Sequence, residues 1–216
     1  MLDLDRPVNH QTTVPGHPCS TLVTYGRQGT QPNDRSGQLK GIIFNALEDA
    51  VVRNFGHDTW DDVLDDADVT GAYTSPGNYD DSELASLINA LPAATGADLA
   101  DRLRWVGVNA VPFLGKAFPQ SFDNIDLRRF LPTLNHIIHP EVRKLYPGAT
   151  PPDFEIDERT DGTISLRYES QRQLCWLAEG FVLGVANRLG EKVTLSQPVC
   201  MYTGAHYCDI QIAFHE

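Results

Sequence analysis

The stretch from His139 to Arg172, HPEVRKLYPGATPPDFEIDERTDGTISLRYESQR, contains the change of pattern that decides the fold. Up to Leu145 it continues a helical spacing that begins near Leu127. From Phe154 the period becomes two: Phe154 and Ile156, then Ile164, Leu166 and Tyr168, alternate with polar residues as half-buried strands do. Asp161-Gly162 between the two runs is a hairpin turn. Downstream, Leu174, Leu177, Phe181 and Val185 predict a helix over Gln173 to Leu189 that Gly190 ends, and strands follow near Lys192 to Cys200 and Tyr207 to Phe214.

Upstream the spacing is helical throughout. Ile43, Phe44, Leu47, Val51 and Phe55 form one helical pattern stopped by Gly56, and a second starts near Asp58 or Thr59 and buries Trp60, Val63 and Leu64. A turn-rich stretch from Thr70 to Asp81 precedes a third, through Leu84, Leu87, Ile88 and Leu91. A fourth covers Asp98 to Phe118, where Pro112 is expected to kink or divide it. The predicted class is therefore α+β: an N-terminal helical subdomain, then a mostly antiparallel sheet with helices. Residues 1–38, with Pro7, Pro15, Pro18 and Pro32 among Gln, Thr, Asn and Gly, carry no sustained pattern and read as a disordered tail before a domain over 39–216.

Composition excludes several classes. The chain has 216 residues, and its formal charge of −12 repels nucleic-acid phosphates, which a basic cluster as small as Arg143-Lys144 does not overcome. No run approaches the roughly 18 apolar residues that span a bilayer, and the first residues do not form a basic-then-apolar leader, so a cytoplasmic protein is expected. Four cysteines, Cys19, Cys175, Cys200 and Cys208, are too few and too unevenly placed for a disulfide-built scaffold.

Two constellations could carry chemistry. His136 and His139 lie three apart on one helical pattern, a spacing that places them on neighbouring parts of one face. Local periodicity does not choose between a ligand and an ordinary core or surface histidine. Tyr168, Ser170 and Arg172 occupy alternate positions of an extended segment, which puts two hydroxyls and a guanidinium on one side. Such a group suits paired carboxylates, and a solvated polar face would look the same.

Taken together, these residues resemble the haem nitric oxide/oxygen binding family, H-NOX. In that family an iron-ligating histidine precedes a Gly-Ala-x-Pro-Pro run, here Gly148-Ala149-Thr150-Pro151-Pro152, and a Tyr-x-Ser-x-Arg motif follows, here Tyr168 to Arg172. Lys40-Gly41-Ile42-Ile43-Phe44-Asn45 and Tyr79-Asp80-Asp81 are also similar to it, so the resemblance covers Leu39 to Phe214. It implies a helical half and an α/β half clasping a haem b. His139, which has the family spacing where His136 does not, is implied to be the iron ligand. Tyr168, Ser170 and Arg172 are implied to bind the propionates, Pro152 to press on the porphyrin, and Ile43, Leu47, Ala110 and Leu114 to line the pocket.

The resemblance also bears on the ligand. Oxygen-binding members carry a distal tyrosine five residues after the motif arginine, where this chain has Leu177, so nitric oxide, and carbon monoxide with it, is expected over oxygen. Neither Trp105 nor Tyr202, the other donors weighed, matches the distal position. Sensing rather than turnover is expected, with the output passed to a separate protein such as a histidine kinase or a cyclic-dinucleotide enzyme (a diguanylate cyclase or phosphodiesterase). A haem enzyme of peroxidase or nitric oxide dioxygenase type, and a haem-free interaction module, are the competing classes.

Cys175, Cys200 and Cys208 match a structural zinc site of some members, whose fourth ligand is a histidine at the position held here by Gln197. His206 is the nearest replacement donor. Buried thiols and a redox-sensitive thiol set remain open beside zinc. Family members begin with methionine directly before Lys-Gly-Ile-Ile-Phe, where this chain has Leu39, so residues 1–38 are expected to be a gene-start artefact or a tail without a part in haem binding.

Overall fold

The structure, a computed structural model, describes residues 37–215. The chain opens with β1 (Gln38–Lys40) and passes directly into α1 (Gly41–Phe55), then α2 (His57–Ala67). Gly56, with φ of 95°, makes the break between the two helices. Gln38, which the sequence pattern leaves to the tail, is thus the first residue of a strand; residues 1–36 lie outside the described residues. The turn-rich stretch after α2 holds one short strand, β2 (Asn78–Asp80), which pairs antiparallel with β1. Asp80 then caps α3 (Asp81–Ala90), its carboxylate accepting from the Ser82 amide.

The fourth helical pattern is one helix, α4 (Leu99–Ala117), started by the Asp98 side chain accepting from the Asp101 amide. Of the two outcomes expected of Pro112, division does not occur: the proline sits inside one helix. The reason is local. Proline removes the N–H that would pair with the Val108 carbonyl, and that carbonyl lies over Gly184, where a Cβ would come within 2.8 Å of it.

The expected helix over Leu127 to Leu145 is broken into three pieces: α5 (Leu127–Thr133), a widened π-turn (Leu134–Ile138) and α6 (His139–Leu145). The His139 amide donates to the Leu134 carbonyl, five residues back, and Pro140, lacking an N–H, follows at once. A repeating apolar spacing does not reveal one inserted residue.

The remaining half is a four-stranded antiparallel sheet in the order β3-β4-β6-β5, made of β3 (Asp153–Glu158), β4 (Ile164–Glu169), β5 (Lys192–Val199) and β6 (Cys208–His215). The β3–β4 hairpin turns at Asp161-Gly162 as expected, with φ of 81° at Gly162. Between β4 and β5 runs α7 (Cys175–Leu189), two residues shorter at its start than the sequence predicts because Gln173 takes a left-handed turn, φ 53°. One continuous apolar cluster runs from α1 and α4 through α7 to the inner face of β4 and β6. Among the described residues no helix is long and apolar enough to cross a membrane.

Candidate functional site

Between the helical half and the sheet lies a cavity of about 280 Å³. Its walls come from α1 (Ile42, Ile43), α4 (Val111, Leu114), α7 (Leu177, Phe181, Val185) and the segment from Phe130 to Phe154 that carries His139. Of the sequence-predicted residues, His139, Pro152, Tyr168, Ser170, Arg172, Ile43, Leu114 and Leu177 line it. Leu47 and Ala110 do not. Both are buried in the core, one helical turn after Ile43 on α1 and one turn before Leu114 on α4, and neither reaches the cavity lining.

His139 is 9% exposed, and its Nδ1 has no hydrogen-bond partner among the described residues. Burial, reinforced by the positive charge of Arg143, lowers its pKa from 6.5 to about 4. The imidazole is therefore neutral at ordinary pH, the form in which a ring nitrogen can donate to a metal. Its ring faces that of Phe154, centroids 5.8 Å apart, and Phe154 in turn faces Tyr168 at 5.9 Å. His136 is exposed and does not line the cavity.

Tyr168 ends the regular part of β4, while Ser170 and Arg172 lie in the turn beyond it rather than on one extended strand. The Tyr168 hydroxyl accepts from the Leu174 amide at 3.0 Å and keeps its own proton, since burial pushes its pKa up to about 12. Ser170 Oγ accepts from the Arg172 amide. The Arg172 guanidinium reaches both halves of the molecule: Nε donates to Asp81 Oδ2 at 3.0 Å, Nη1 to Thr150 Oγ1 at 3.0 Å, and Nη2 to the Gln38 carbonyl at 2.6 Å. Sequence reasoning quoted Asp81 only as part of a motif and gave it no role. Lys40, likewise quoted without a role, is 7% exposed and lines the cavity, its ammonium donating to the Pro147 carbonyl at 2.7 Å and the Pro76 carbonyl at 3.3 Å.

These residues fit a haem. A planar macrocycle needs apolar walls, a neutral buried imidazole to one side and hydroxyl and guanidinium donors at one edge, and the cavity supplies all three. Trp105 and Tyr202, weighed as distal donors, do not line it: Trp105 stacks on Phe55 and Tyr202 on Trp176. Ser121, in the turn after α4, lines it and was not anticipated.

The sulfurs of Cys175, Cys200 and Cys208 lie within 4.8 Å of one another in a buried group. Cys175 and Cys208 share a proton: the Cys175 thiol is raised by its hydrogen bond to Cys208, and Cys208 is lowered by the same bond. His206 does not belong to this group. It is exposed on the turn before β6, whereas Gln197, on the inward face of β5, is 2% exposed beside the sulfurs.

The model of the haem-NO-binding family matches residues 40–197. Among solved structures, an H-NOX protein from S. oneidensis in its Fe(II)NO state is 31% identical, covering 82% of this chain and 100% of its own, with a TM-score of 0.75. The unliganded Fe(II) H-NOX protein from K. algicida is 26% identical over 82% of this chain and 97% of its own, TM-score 0.70. An oxygen-binding H-NOX domain related to soluble guanylate cyclases shares the fold at 21% identity, covering 82% of this chain and 96% of its own, TM-score 0.69. With the family's model spanning most of its length and its cavity furnished as described, this chain belongs to the haem-NO-binding, or H-NOX, family of gas-sensing domains.

Proposed function

We propose that this domain is a nitric oxide sensor that holds one haem b on His139 and passes its state to a separate signalling protein. The observation that carries this reading is the pairing of a neutral, buried His139 with an apolar wall at Leu177, 7% exposed beside Val111, Leu114 and Phe181. When bound, a ferrous haem supplies an iron with an open position for a diatomic gas. The chain's residues do the rest. His139 donates to the metal, and Tyr168, Ser170 and Arg172 hold the carboxylates by charge-assisted hydrogen bonds. Leu177 excludes water and offers no proton to a bound gas, which removes the stabilisation an oxygen adduct requires and leaves nitric oxide, and carbon monoxide with it, the favoured ligands.

Because His139 starts α6 and Pro152 precedes β3, a change in the hold on the imidazole moves one segment against the rest, which is what a two-state switch requires. The partner fitting such an output is a histidine kinase or a cyclic-dinucleotide enzyme, and the chain acts by sensing rather than turnover. The test is absorption spectroscopy of the reduced, haem-loaded protein before and after nitric oxide, carbon monoxide and oxygen. Binding of the first two without a stable oxygen complex is expected, with haem lost in His139→Gly and kept in His136→Gly. A persistent oxygenated spectrum, or equal haem loss in both variants, overturns the reading.

A further inference from the structure

Within the π-turn ahead of His139, the Asn135 side chain hydrogen-bonds to the sheet. Asn135, within that turn, pairs with the backbone of Phe154 in both directions: Asn135 Oδ1 accepts from the Phe154 amide at 3.2 Å, and Asn135 Nδ2 donates to the Phe154 carbonyl. A primary amide matches a peptide unit in this way as a neighbouring strand would, with one donor and one acceptor each satisfied. The residue so gripped is not neutral to the site. The Phe154 ring stands between the imidazole of His139 and the ring of Tyr168, and the residue follows the Pro151-Pro152 run that lines the cavity.

The mechanical setting makes this contact consequential. The π-turn has one residue more than a helical turn, its widening is completed by the His139 amide bonding back to Leu134, and Pro140 removes the next backbone donor. His139 is therefore held to the turn before it by the wider, five-residue bond, and the residue after it donates none. Contacts across the gap therefore help to fix the imidazole: an exposed ion pair joins Arg143 of α6 to Asp153 of β3 at 3.2 Å, and Asn135 supplies the paired, partly buried hydrogen bonds beside it.

We propose that Asn135 is a positioning residue for gas sensing: its amide clamp on Phe154 holds the π-turn and the His139 ring in register with the sheet, opposes release of the imidazole, and couples movement of α6 to β3. The inference rests on the haem-binding reading above and goes beyond it by naming the element that sets how readily His139 lets go. Asn135→Leu removes both hydrogen bonds while keeping the number and branching of side-chain heavy atoms. Asn135→Asp keeps the acceptor for the Phe154 amide and replaces the donor with an oxygen facing a carbonyl, so it falls between.

Two measurements test it. In the haem-free chain, amide hydrogen exchange at Phe154 and across Leu134–His139 should speed up about tenfold or more in Asn135→Leu, with α1 and α7 unchanged, as loss of a partly buried hydrogen-bond pair predicts. In haem-loaded protein mixed with nitric oxide, the absorption change that marks release of the His139 imidazole should be faster by about tenfold in Asn135→Leu and by less in Asn135→Asp, at undiminished haem content. Unchanged exchange shows that no clamp exists and overturns the proposal. Faster exchange with an unchanged release rate reduces Asn135 to a packing role and overturns it as well, while haem binding by the wild type keeps the sensor reading intact. Failure of the wild type to take up haem defeats that reading, and the positioning role with it, in a way neither variant can imitate. Should Asn135→Leu not fold, Asn135→Asp decides both measurements alone.

Discussion

His139 is kept neutral by its surroundings, and that has a measurable signature in the haem-free protein. Its folded pKa of about 4 lies below the ordinary 6.5, with burial the larger cause and Arg143 the smaller. The unfolded chain therefore takes up a proton first as pH falls, and stability present above pH 6.5 is lost on the way down towards pH 4. The full shift corresponds to about 3 kcal/mol. The urea midpoint of the haem-free chain should fall over this window, and His139→Leu should flatten that part of the slope; an identical slope in both proteins refutes the assignment. Leu177 carries the second prediction at this scale. Leu177→Tyr places a hydroxyl in the cavity and should slow oxygen dissociation by about tenfold or more, as one added hydrogen bond to a polar ligand would, read by flash photolysis. How far single residues were legible depended on motif: His139, Tyr168, Ser170 and Arg172 stand at fixed spacings, and all four line the cavity. Leu47 and Ala110 share a helix face with Ile43 and Leu114 but sit one turn away from the lining, because helical spacing reports a face without saying how far along it a cavity extends. Asn135 was invisible, since its partner is a backbone and backbone partners leave no trace in residue identity.

Among the elements, α4 and α7 meet backbone to backbone. A Cβ at Gly107 would come within 2.4 Å of the Leu177 carbonyl, and one at Gly180 within 2.3 Å of the Arg104 carbonyl, so neither position tolerates a side chain without the helices parting. Beside them Arg104 Nε pairs with the buried Glu179 carboxylate at 2.6 Å. Since α7 bears Leu177, this contact fixes the depth of the apolar wall. Gly180→Ala should destabilise the domain by about 1–3 kcal/mol, the usual cost of overpacking, in urea unfolding followed by circular dichroism. The same substitution should shift the haem absorption maximum, because it displaces Leu177; loss of stability with an unchanged spectrum would separate the wall from the helix contact. The sequence marked the long helices and the strands of the four-stranded sheet by period, yet it missed β1, β2, the π-turn and the continuity of α4 through Pro112. Each of those depends on a partner outside the segment: β1 for β2, Phe154 for the π-turn, Gly184 for the Val108 carbonyl.

At the scale of the whole molecule the two halves share one apolar core and are joined as well by polar ties beside the cavity. Lys40 binds one carbonyl from each side, Pro76 and Pro147, and Arg172 joins Asp81 and Gln38 to Thr150. Lys40→Met keeps the buried stem and removes the ammonium, leaving the Pro147 carbonyl without its donor. An expected loss of about 1–3 kcal/mol follows from that unmet acceptor, measurable by urea, together with faster amide exchange over Tyr146 to Ala149. Exchange confined to wild-type rates would show that other contacts hold this loop. The α+β order was legible from the change of period, whereas the docking of one half on the other was not, because it is decided by carbonyls such as Pro147 and Gln38.

The ties also span long distances along the chain: 107 residues from Lys40 to Pro147 and 134 from Gln38 to Arg172. Contacts of such separation close late in folding, after the entropy of a large loop has been given up. During synthesis at about 5–20 residues per second, the ribosome delivers Arg172 on the order of ten seconds after Gln38. For that interval the apolar faces of α1 and α4 lack α7, their eventual cover, and the nascent chain carries sticky surface without a finished pocket. No cofactor can be held before that segment arrives, and chains that accumulate faster than they are completed should aggregate through the uncovered helical half.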